Sequence, residues 1–264
     1  MIYMIWIISS AKSMNPNKSI NTNKYTVPIF KDEGKELINE LRKYDPSQIA
    51  SLMNISDRLS ELNVVRYDKW DENHKLSNSK QAISLYNGDV YKKIDSETLN
   101  NEQLNFMNKH LRIISGLYGV LRPLDIIQPY RLEMSIKLKN SKGNDLYDFW
   151  KDKITAYFNE EIKEQKDKFI INLASKEYVK AIDLDKLKAR VINIVFKEYR
   201  NGRYKVVPFN AKRARGSFVR YMTENFVEDV ENIKSFDVDY KYNEKMSTDT
   251  DWVFIKDEFF CKKY

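Results

Sequence analysis

The chain has 264 residues, 42% apolar, 31% charged and 13% aromatic, a balance that suits a folded soluble protein with a substantial core and argues against wholesale disorder. Its 45 Lys and Arg against 38 Asp and Glu leave a net charge of +7, which favours acidic partners such as nucleic acid, although a solvated lysine-rich surface gives a similar sum. A single cysteine, Cys261, excludes an intramolecular disulfide and any multi-thiolate metal site, and fits a reducing compartment.

Residues 1–8, MIYMIWII, are too short for a membrane span and lack the basic segment of a signal peptide, so they predict a buried first strand in a cytoplasmic protein. The polar stretch up to Pro28 reads as loop, with Ser9, Ser10 and Lys12 leaving the strand's carboxyl end, where α/β sheets tend to hold ligands. Residues 31–65 have helical periodicity, with Ser47 as an expected cap. Residues 79–94 break at Asn87-Gly88. Residues 96–114 predict an amphipathic helix that opens on Ser96 and Glu97 and runs through Phe106, Met107 and Leu111 into a glycine hairpin. Residues 144–166 predict a helix, and KFIINLAS a buried strand ending at Asn172 and Ser175. RVINIVFKEYRNGRYKVVPF predicts two strands joined at Asn201-Gly202, residues 209–227 a helix, and DWVFIKDE a last strand. This alternation, without repeats or a long linker, predicts an α/β fold (mixed α+β), a mixed sheet flanked by helices, in one compact domain over 1–264.

Two stretches point to anion binding. In LRIISGLYGVLRPLDIIQPYRLEM, residues 111–134, Gly116 and Gly119 frame Leu117 and Tyr118, while Arg112, Arg122 and Arg131 surround the turn with guanidinium groups suited to phosphate. Gly116 serves equally as a helix C-cap, and Asp125 as a partner of Arg122 or Arg131. In FNAKRARGSFVRYM, Lys212, Arg213, Arg215 and Arg220 are interleaved with aromatics, and no acid lies between Glu198 and Glu224. The alternative is a surface helix whose arginines pair with Glu224, Glu228 and Asp229. Asn172, Ser175, Glu177 and Tyr178 sit at a strand-to-helix transition as candidate cleft residues, with Ser175 equally a helix cap. His74 and His110 have no zinc or triad spacing, and Asp57, Arg58 and Asp89 read as cleft members or as salt-bridge and turn residues. There is no P-loop and no dinucleotide fingerprint.

At these residues the chain resembles the YaaA family of peroxide stress response proteins. The resemblance runs nearly end to end, through SSAK at 9–12, ISDRL at 55–59, YNGDVY at 86–91, RIISGLYGVLRPLDIIQPYRLEM at 112–134, DLYDFW at 145–150, INLASKEYVKA at 171–181 and KRARGSFVRYM at 212–222. It implies a mixed α/β fold with a basic cleft and a helix-hairpin-helix-like element that binds double-stranded or branched DNA, and a role in limiting free iron and oxidative DNA damage. The family's hairpin falls on Ser115, Gly116, Leu117, Tyr118 and Gly119, and its basic residues on Lys12, Arg122, Arg131, Lys212, Arg215 and Arg220. Two departures stand out: Ser10 occupies the position of a usual proline, and the hairpin is Gly-x-x-Gly rather than Gly-x-Gly.

The leading expectation is a non-catalytic monomer with no metal, cofactor or membrane partner, in which hairpin amides and the basic helix grip the phosphate backbone from two sides. The alternative is an enzyme with a small anionic substrate among Lys12, Arg122, Arg131, Asn172, Ser175 and Glu177. A broad open groove supports the first, and an enclosed pocket of a few hundred Å3 with buried carboxylates the second.

Overall fold

Strand β1 (Ile5–Ser9) belongs to the core: in a computed structural model describing residues 4–165 and 168–257, Ile5, Trp6, Ile7 and Ile8 are all buried. Burial on both faces is the signature of a parallel strand between helical layers. Helices α1 (Lys31–Leu41), α2 (Pro46–Met53) and α3 (Asp57–Lys69) follow. The cap of α2 is Asp45 rather than Ser47, because Asp45 accepts from the Gln48 amide while Gln48 Oε1 accepts from the Asp45 amide, a reciprocal box with Pro46 at the first turn.

Next come β2 (Lys80–Gln81), α4 (Ala82–Leu85), α5 (Asp89–Ile94) and α6 (Asn101–His110). The helix expected over 96–114 is shorter than its periodicity suggested: Asn100 and Gln103 form its capping box, and from Leu111 the backbone is strand β3 (Leu111–Ser115). Long-range pairing decides this, since β3 lies parallel against β1 with Trp6 opposite Leu111, and its Ile113 and Ile114 suit a pleated, buried surface. The remaining elements are β4 (Gly119–Leu121), β5 (Ile126–Ile127), α7 (Leu146–Glu161), β6 (Phe169–Asn172), α8 (Lys176–Val179), β7 (Arg190–Arg200), β8 (Arg203–Lys205), α9 (Pro208–Glu224), β9 (Lys241–Tyr242) and β10 (Asp251–Lys256).

Eight strands make one mixed sheet in the order β4-β3-β1-β6-β7-β10-β9, with β8 on β7, and β2 pairs β5 separately. β3, β1, β6, β7 and β10 run parallel, while β4, β8 and β9 are antiparallel to their neighbours. The architecture is the mixed α/β one expected. No helix among the described residues is long and apolar enough to cross a membrane. Cys261 lies outside the described residues.

The glycine hairpin joins β3 to β4, two antiparallel strands, and so is not flanked by helices as a helix-hairpin-helix would be. Residues 111–121 are buried throughout. Gly119 has φ of 62°, and a Cβ there would lie 2.6 Å from Trp150 Cζ3; one on Gly116 would collide with the Leu132 carbonyl. The amides of Leu117 and Tyr118 donate to Ser115 Oγ at 3.2 and 3.0 Å, so the expectation that they grip phosphate is corrected: they are spent inside the protein.

Candidate functional site

The chain runs from β1 to β3 on one side and later lays β6 on the other, so the strand order reverses at β1, and Ile7 stands level with Asn172 at the neighbouring carboxyl ends. Such a reversal opens a crevice in an α/β sheet. A pocket of about 490 Å3 lies there. The loop after β1 contributes Ser9, Ser10, Lys12 and Ser13, the start of α5 contributes Gly88 to Tyr91, the segment after β6 contributes Ser175, Glu177 and Tyr178, and α9 contributes Lys212 and Arg215. Four of the segments that carry the family resemblance therefore meet in one place.

Hydroxyl contacts tie these segments together. Ser9 Oγ accepts from the Ser175 amide at 2.9 Å and donates to Ser175 Oγ, and Tyr91 donates to the Ser9 carbonyl. Ser175 occupies the N-cap position of α8 but makes no side-chain cap bond. The Ser10 amide donates to the Ile114 carbonyl at 2.9 Å, a bond proline cannot make, and Ser10 Oγ donates to Tyr178. Burial pushes the Tyr178 and Tyr91 hydroxyls well above the ordinary tyrosine range, which keeps both protonated. Behind the loop, Tyr130, pushed up to about 12 by burial, links Ser115 and Tyr86 at 2.6 Å each.

The cations are held in different ways. Lys12 Nζ pairs with the buried Glu133 at 3.1 Å, and Arg131 Nη2 meets the same oxygen at 2.8 Å. Lys212 and Arg215 sit three residues apart on α9, hence on neighbouring positions of one face. The helix reaches the pocket because Gly216 lets its backbone press against α5, where a Cβ would collide with the Val90 carbonyl and lie 2.7 Å from Lys93 Cβ. Arg215 Nε is buried with no hydrogen-bond partner, and burial alone lowers its guanidinium below the usual arginine range. Lys12, Lys212 and Arg215 are offset by Asp89 and Glu177 in the same lining.

Other expected contacts lie elsewhere. Arg112 is buried, donating to Tyr157 at 2.7 Å and pairing with Glu161 at 2.7 Å, which makes it a core ion pair. Ser115, Gly116, Tyr118 and Gly119 belong to the buried hairpin, and Trp70 Nε1 donates to the Tyr118 hydroxyl at 2.9 Å. Arg122 is clasped by Asp125, with a second bond to the Val27 carbonyl. Arg220 pairs with Glu224 and donates to the carbonyls of Ile94 and Asp95, closing the end of α5. Arg213 lies over the Phe209 ring and lines a separate cavity of about 230 Å3. Asn172 lines a neighbouring cavity of about 810 Å3, whose wall includes Arg215, Lys151, Lys176 and Lys180. Asp57 and Arg58 are exposed on α3, away from the pocket lining, whereas Asp89 is in it.

The sequence reading passed over Ser13, Tyr91, Glu133 and the lysines of the larger cavity. Tyr91 and Glu133 stand inside YNGDVY and YRLEM, so the motifs themselves held the signal. Among the described residues no group of three or more His, Cys, Asp or Glu side chains is gathered as a metal site.

Fold and site thus define an α/β protein with a mixed sheet and a polar pocket at the reversal of strand order. More narrowly, the chain belongs to the peroxide stress protein YaaA family, whose profile matches residues 4–246. It is 47% identical over 252 residues to a UPF0246 protein of Ralstonia pickettii (strain 12J), covering 95% of this chain and 98% of that one. It is 44% identical over 256 residues to a UPF0246 protein of Colwellia psychrerythraea, covering 97% and 100%.

Proposed function

We propose that this protein acts in the response to peroxide stress, as its family's description indicates, and that it does so by binding duplex or branched DNA through backbone phosphates at the carboxyl edge of the sheet. One observation carries the reading: Lys212 and Arg215, three residues apart on α9, line the pocket that Lys12 also lines, and Arg215 Nε is buried without a hydrogen-bond partner. A guanidinium already desolvated by the fold, with no acid bound to it, gains from a phosphate oxygen without first losing a partner. The larger cavity that Arg215 also lines adds Lys176, Lys180 and Lys151 beside one acid, Asp251. Limiting oxidative DNA damage would then follow from occupancy of the DNA.

The expected result is a steep salt dependence of duplex binding that falls by about one unit of log–log slope for each cation removed. Lys212→Ala with Arg215→Gln should lose about two units, equally for all sequences, while Arg213→Gln, outside the pocket, should lose none. Anisotropy titrations of duplex, junction and single-stranded DNA between low and moderate salt read this out. An unchanged slope in a folded double variant overturns the reading.

A second reading, an enzyme with a small anionic substrate, is favoured by the pocket's dimensions. About 490 Å3 is the scale of a small-molecule site, and the lining holds two carboxylates beside its cations.

A further inference from the structure

The pocket is small and its lining is of mixed sign, so backbone phosphates account for its cations and leave its carboxylates without a role. Asp89 and Glu177 gain nothing from a uniformly negative backbone, which meets only the cations. Glu177 is fixed rather than mobile, since its Oε1 accepts from the Ser135 amide at 3.1 Å and from Ser135 Oγ at 3.0 Å. A ligand with one concentrated anionic end and hydroxyl or amine donors at the other would satisfy both kinds of lining.

We propose that this pocket is a phosphomonoester site, taking the 5′-phosphate and attached sugar of a single nucleotide, free or at the end of a DNA strand. A phosphomonoester carries about −1.5 to −2 charges at neutral pH and three terminal oxygens, against one charge for each backbone phosphodiester. Lys212 and Arg215 supply cations from α9, Lys12 adds one that it shares with Glu133, and Ser13 and Tyr178 add hydroxyls that turn to suit an oxygen. The carboxylates of Asp89 and Glu177 are left to accept from sugar hydroxyls or a base amine. The location, at the carboxyl ends of two parallel strands where the order reverses, is where open α/β sheets hold nucleotides. The assignment goes beyond backbone binding and stands independently of it.

The test uses the full chain and four probes: deoxyadenosine 5′-monophosphate, deoxyadenosine, one blunt duplex with either 5′-phosphate or 5′-hydroxyl ends, and a relaxed closed-circular duplex. Melting shifts are read for the small molecules and anisotropy or competition for the DNAs. The monophosphate should raise the melting temperature where the nucleoside does not, or the phosphorylated duplex should bind about tenfold more tightly than its hydroxyl twin. The first outcome marks a free nucleotide as the source and the second a strand end. Either preference should disappear in Arg215→Gln; should that variant fail to fold, Lys212→Ala, an exposed position, carries the same comparison. No preference for the phosphate in either assay, or one that survives in both variants, overturns the proposal. Tight closed-circle binding without an end effect retains the backbone reading alone, and monophosphate binding without closed-circle affinity retains this one alone.

Discussion

Gly119→Val is expected to abolish stable folding rather than to weaken ligand binding selectively. The position has φ of 62°, where a side chain costs about 1–2 kcal/mol and a β-branched one more. A Cβ would also lie 2.6 and 2.8 Å from the Trp150 ring and 3.1 Å from Phe30, and overpacking of this kind adds about 1–3 kcal/mol. The total is a large fraction of the stability of an ordinary domain. Chemical denaturation followed by circular dichroism checks it. A variant with wild-type melting that had lost only DNA affinity would return the hairpin to the binding surface, where the sequence first placed it.

Arg112→Gln should have the next largest effect, and again on stability. The guanidinium is buried, bonded to Tyr157, Glu161 and the carbonyls of Asn108 and Leu111, so its removal strands several acceptors together with a half-buried carboxylate. Breaking a buried pair by deleting one partner costs about 3–5 kcal/mol. The exposure of Glu161, 27% of its side chain, puts this case at the lower end, near 3. The midpoint of urea unfolding should fall while the salt slope of DNA binding stays that of the parent. A normal midpoint with a reduced slope would show that Arg112 does reach phosphate.

What the sequence disclosed follows the range of the interactions. Local patterns were legible: the apolar face of α7, the basic helix α9, and the hairpin between β7 and β8, where Asn201 and Gly202 take φ of 53° and 79°. Asp125 was open to either Arg122 or Arg131, and the structure gives it to Arg122, three residues away, while Arg131 takes Glu133. Residues 111–114 form strand rather than helix: their strand partner, β1, lies about a hundred residues away, and helical periodicity continues into them by chance. Roles of individual cations were the least legible. Arg112 meets Glu161, Lys12 meets Glu133, and Arg220 meets the end of α5, and each of these partners is brought up only by the tertiary fold. Conversely, a spacing of three on a helix is enough to put Lys212 and Arg215 on one face, and α9 does so.

The claim that the pocket at the ends of β1 and β6 is the working site of the protein is tested most directly by complementation of a peroxide-sensitive strain lacking its family member. Lys212→Ala with Arg215→Gln removes two pocket cations, while Arg213→Gln removes one from the same helix outside the pocket. At matched expression and melting temperature, the account predicts that the pocket variant loses peroxide protection and the Arg213 variant keeps it. Full protection by the pocket variant, or loss confined to Arg213→Gln, would contradict it.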